Sequence, residues 1–71
     1  MPTTELTDDA REVLRVVAAH VERHEVMTVQ AAAIGAGLSY METYDLVNQL
    51  FSAGMLTHDL RLTDAGQKAI D

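Results

Sequence analysis

Between residues 8 and 23 apolar side chains recur at the three-and-four spacing of a helix. Ala10, Val13, Leu14, Val17 and Val21 fall on one side, and Arg11, Glu12, Arg15, Ala19 and Glu22 on the other. Thr7 precedes them, followed by Asp8 and Asp9: a hydroxyl cap and two carboxylates at the end where a helix is partially positive. This predicts a first helix from about Asp8 to Arg23. His24-Glu25-Val26-Met27 breaks the period and reads as a loop or one short strand. Thr28 is a second cap, and Val29 to Ile34 forms an alanine-rich helix of two turns, ended by Gly35-Ala36-Gly37-Leu38. Ser39-Tyr40-Met41-Glu42 matches the capping box, a hydroxyl with a glutamate three residues on. It opens a third helix from Tyr40 to Ala53, closed by Gly54. Tyr40, Thr43, Tyr44, Val47, Leu50 and Phe51 share one face of it; Met41, Glu42, Asp45, Asn48, Gln49 and Ser52 share the other. Met55-Leu56-Thr57 and Leu60-Arg61-Leu62 predict a tight hairpin around His58-Asp59. Thr63-Asp64 starts a last short helix with Ala65, Ala69 and Ile70 turned inward.

Length confines this pattern to one domain, because the chain has 71 residues. A core of that size seldom gives more than roughly 3–5 kcal/mol of net stability. With no cysteine, neither a disulfide nor a thiolate metal site can add to it, leaving close helix packing or self-association. Residues 1–6 are polar and are expected to be disordered; residues 7–71 are expected to form the domain. No run approaches the roughly 18 apolar residues that span a bilayer. Met1-Pro2-Thr3-Thr4-Glu5 lacks the basic start and apolar stretch of a signal peptide. A cytoplasmic location is the expectation.

The order helix, short helix, glycine turn, capped helix, hairpin, helix places two middle helices as a helix-turn-helix pair. Met27 to Ser39 resembles the corresponding stretch of winged helix-turn-helix domains. Leu50-Phe51-Ser52-Ala53-Gly54-Met55-Leu56 is similar to their "Leu-x-x-Ala-Gly-Leu" exit from the third helix, and Leu62-Thr63-Asp64-Ala65-Gly66 to the "Leu-Thr-x-x-Gly" start of their final helix. Together these motifs resemble bacterial and archaeal regulators of the MarR and PadR type, over about residues 7–70. The resemblance implies a mainly α (α+β) fold: a three-helix core, a short β-hairpin wing and a short C-terminal helix. It also implies a homodimer that acts on double-stranded DNA, with the third helix in the major groove. Carried over by position, the contacting residues are Ser39, Tyr40, Met41, Tyr44, Asp45 and Asn48, with Arg61 in the wing.

Charge opens a second reading. Eleven acids against five bases give a formal charge of −6, whereas phosphate neutralisation dominates DNA affinity. The outward face of the third helix carries Glu42 and Asp45 and no Lys or Arg, although Asn48 or Gln49 could read adenine. Tyr40, Met41, Tyr44 and Phe51 are more large side chains than a thin domain covers easily, and Tyr and Met favour protein interfaces. A protein-interaction module that does not touch DNA is therefore the alternative. The two part on where the bases lie. Arg11, Arg15, Arg61 and Lys68 gathered on one surface with the third helix would favour DNA. Their scatter, with Met41 and the tyrosines exposed, would favour a protein. Other chemistry has less support. His20 and His24 have the i, i+4 spacing of a metal pair, but the intervening metalloprotease glutamate and any cysteine are missing, so both read as packed histidines and no metal is expected. Ser39 is committed to a cap, Ser52 ends a helix, and Gly35-Ala36-Gly37 is turn chemistry. Neither an enzyme nor a cofactor or small-molecule substrate is indicated.

Overall fold

The computed structural model describes residues 7–70, and the expectation for residues 1–6 lies outside them. Four helices form: α1 (Asp8–Glu22), α2 (Val29–Ala36), α3 (Tyr40–Ser52) and α4 (Asp64–Ile70). Hydroxyl side chains start the first three. The Ala10 N–H donates to Thr7 Oγ1 (3.1 Å), that of Ala31 to Thr28 Oγ1 (3.0 Å) and that of Glu42 to Ser39 Oγ (3.1 Å). Ser39 Oγ in turn donates to the Glu42 carboxylate (3.0 Å), so the glutamate closes the cap through the hydroxyl.

Left-handed residues end these helices by one recurring pattern. After α2, Gly37 has φ 71°, its N–H reaches the Ile34 carbonyl (3.3 Å), and the Leu38 N–H reaches that of Ala33 (3.0 Å). After α3, Gly54 (φ 78°) and Met55 bond Phe51 and Leu50 in the same way. After α1 the pattern repeats without a glycine. His24 takes φ 57°, with its N–H on the Val21 carbonyl (3.1 Å) and that of Glu25 on His20 (2.9 Å). Gly35, expected to break α2, is instead inside it. A Cβ there would stand 2.7 Å from Val16 Cγ1, so the missing side chain lets α2 approach α1.

α1 is the hub and packs against each of the other helices. Its Ala10, Val13, Leu14 and Val17 join Val47 and Leu50 of α3 and Leu56 in one core. Buried Ala32 and Ala33 hold α2 close. Thr43 is fully buried, and its hydroxyl donates to the Ser39 carbonyl (2.9 Å).

The β-hairpin wing is not present, and this overturns the winged helix-turn-helix assignment and the α+β class. Among the described residues no strand forms, and Leu56 and Leu62 make one isolated antiparallel bridge. The pairing stops at that bridge: the Thr63 N–H donates to the Met55 carbonyl (3.1 Å) beside it, and beyond these residues the chain belongs to α3 and α4. Met55 is tied to α3 through the Leu50 carbonyl (2.9 Å), while Thr63 caps α4 by accepting from the Gly66 N–H (3.1 Å). Between them, Thr57 to Arg61 is consumed by a turn in which the Leu60 N–H bonds Thr57 O (3.0 Å) and the Thr57 N–H bonds Arg61 O (2.8 Å). Too few residues remain to extend a ladder or project a wing. His24–Met27 is likewise loop. The domain of residues 7–70 is all-helical.

Candidate interaction surface on the third helix

The apolar face predicted for α3 is split by packing. Thr43, Val47 and Leu50 go into the core, whereas Tyr40, Tyr44 and Phe51 stay 53, 48 and 49 % exposed. At about 100° per residue these three fall within roughly 40° of one another, at the edge of the buried stripe. Tyr40 and Tyr44 stack, with centroids 6.3 Å apart and planes 23° from parallel. Met41, one step further round, is 70 % exposed. Asn48 and Asp45 are exposed beyond the stripe, and Ser39 is the cap that fixes where the helix begins. Of the residues expected at the site, α3 and its cap therefore bring together Ser39, Tyr40, Met41, Tyr44, Asp45 and Asn48.

Arg61 is not among them. It lies in the Thr57–Arg61 turn, its N–H bonded to Thr57 Oγ1 (3.2 Å). It lines a cleft of about 520 Å³ with Val21, His24, Glu25, Val26, Met27, Asp59 and Leu60, to which α3 contributes nothing. Two residues of this cleft, His24 and Leu60, hold left-handed backbone (φ 57° and 60°). For Leu60 the half-buried side chain packed against the core offsets the cost of that conformation.

None of the cations belongs to α3. Arg15 pairs with Glu12 (3.4 Å) and Arg23 with Glu25 (2.9 Å). Arg11 is on α1 and Lys68 on α4, and no Lys or Arg occurs between residues 24 and 60. The segment holding α2, its turn and α3 thus has no permanent positive charge, and Glu42 and Asp45 are exposed on it.

The histidines do not form a pair. His20 Nδ1 donates to the Val16 carbonyl (2.9 Å), with Nε2 3.8 Å from Glu25. His24 lies past the helix end, exposed, so the expectation of a packed residue fails for it. Among the described residues no cluster of potential ligands could hold a metal ion. No described helix is long and apolar enough to cross a membrane.

His24 occupies the position that glycine takes after α2 and α3. His24→Gly is therefore expected to raise stability by about 0.5–1 kcal/mol, because it removes the Cβ conflict of the left-handed region. That corresponds to roughly 2–8 °C in melting temperature for a domain of this size. His24→Ala should not gain. A melting temperature lowered by glycine would mean that the imidazole makes a contact worth more than the strain.

Comparison with protein-family models, curated proteins and solved structures finds no match to the chain.

Proposed function

We propose that this domain is a cytoplasmic protein-interaction module, without catalysis of its own, that docks a partner through α3. The observation that carries this reading is the coincidence on one helix of an exposed apolar stripe and a complete lack of cations. Tyr40, Met41, Tyr44 and Phe51 are aromatic or flexible apolar groups of the kind enriched at interfaces. An exposed apolar patch rimmed by polar residues commonly marks such a surface.

Duplex DNA is the competing partner. Residues 24–60 carry no Lys or Arg, so α3 would present Glu42 and Asp45 to the phosphates. Arg11, Arg61 and Lys68 are exposed, which leaves weak contact through other elements as the form DNA binding would take.

A salt series of binding to random-sequence duplex DNA tests the choice, with oligomeric state recorded in the same samples. The expected result is no measurable complex at physiological salt. Affinity that falls steeply as salt rises would show phosphate contacts and would replace this reading with that of a DNA-binding regulator.

A further inference from the structure

Taking α3 as the docking surface, as just argued, we infer that its occupant is a basic amphipathic α-helix of another protein. The spacing points to a helix. Tyr40, Tyr44, Val47 and Phe51 follow each other at intervals of four, three and four, the rhythm with which one helix meets another along a shallow seam. Val47 is already buried in the domain's own core, while the other three remain exposed. The seam therefore runs along the border where internal packing stops, for roughly 16 Å, or three turns.

Charge points to a basic partner. On the side of the stripe away from the core stand Asn48, Met41 and then Asp45, with Glu42 further round. Residues beside a helical seam select partners by charge: Asp45 is the carboxylate on this side, Glu42 lies on the opposite side of the helix, and no Lys or Arg of this segment neutralises Asp45. The stacked Tyr40 and Tyr44 rings add faces that attract a guanidinium or ammonium group. A helix with an apolar stripe flanked by Lys or Arg satisfies the whole surface. A second copy of this chain does not. A two-fold interface sets the same patch against itself, and Asp45 would then meet a patch that offers it no cation.

The test uses two designed peptides of about 18 residues, long enough for five helical turns. Both carry leucine along one face; the other face is lysine in one and glutamate in the other. Binding is measured by fluorescence anisotropy to the full chain and to its Tyr44→Ala and Asp45→Lys variants, with folding checked by circular dichroism and self-association by sedimentation. The lysine peptide should bind at least about tenfold more tightly than the glutamate peptide, with a gap that narrows as salt rises. Asp45→Lys should shrink that gap, and Tyr44→Ala should weaken the lysine peptide severalfold. Equal binding of both peptides, lost in Tyr44→Ala, would overturn the basic partner and leave α3 as the docking surface. Binding of the lysine peptide that neither variant changes would be general attraction to an acidic chain and would overturn it too. If neither peptide binds and the chain sediments as a dimer that Tyr44→Ala dissociates, the occupant is a second copy. If neither binds and the chain is a monomer, both the partner and the docking role of α3 are wrong.

Discussion

Leu14→Ala should leave little folded protein at room temperature. Leu14 is fully buried at the middle of α1, the helix that packs against the other three. Truncating a buried leucine costs about 2–5 kcal/mol, made of lost transfer energy and the cavity left behind. The high end of that range is expected because the site has little freedom to collapse. Its core neighbours come from separate elements, α3 and the Leu56 segment, each held in place by caps and turns. A chain of 71 residues with no disulfide has only roughly 3–5 kcal/mol to lose. Urea titration followed by helical circular dichroism reads the outcome directly. A midpoint close to that of the parent would mean that the core is not organised around α1.

Leu14 was legible from sequence because helix periodicity and burial coincide on α1. Its stripe of Ala10, Val13, Leu14 and Val17 is the one found in the core, and only Val21, in the last turn of the helix, emerges. The helix starts were equally legible, since Thr7, Thr28 and Ser39 act within their own turn and need no tertiary partner. What failed depended on distant groups. The hairpin looked plausible as two alternating triplets. Strand pairing, however, needs length: Met55 and Thr63 do bond across the turn, but α3's exit and α4's cap take the chain immediately beyond them. The wheel of α3 put Tyr40, Tyr44 and Phe51 on the apolar face, which is correct in direction. Periodicity could not say how wide a strip of that face α1 and α2 would cover. The candidate surface is the part they leave open, together with Met41, which the wheel had already placed outside. Arg61 belongs to the site only through the resemblance to a wing; without a wing it lies in the Thr57–Arg61 turn.

Glycine is where sequence and structure give opposite signs, and Gly66→Ala is the sharpest case. By helix propensity alone, alanine in place of glycine within α4 should stabilise by about 0.5–1 kcal/mol. The structure reverses this. A Cβ at Gly66 would collide with the carbonyl oxygen of Met55 and crowd its carbon at 3.1 Å and Leu62 Cδ2 at 3.3 Å. Two of the obstructing atoms are backbone, and that backbone is fixed: Met55 O accepts the Thr63 N–H (3.1 Å), while Met55 N–H is bonded to Leu50 (2.9 Å). Relief requires α4 to move away, which breaks the Gly66 N–H bond to Thr63 Oγ1 and pulls Ala69 and Ile70 off the core. The expected loss is about 1–3 kcal/mol or more, the usual range for forced overpacking. The exposed neighbour gives the control. Ala65, expected to turn inward, is exposed, and Ala65→Gly should cost only about 1 kcal/mol through propensity. Thermal melts of the two variants then rank against the propensity scale. Gly66→Ala should be the less stable of the pair, with amide shifts concentrated at Met55, Thr63 and α4. A melting temperature raised by Gly66→Ala would mean that α4 does not close against the Met55 backbone, and the packing of α4 on α1 would have to be redrawn.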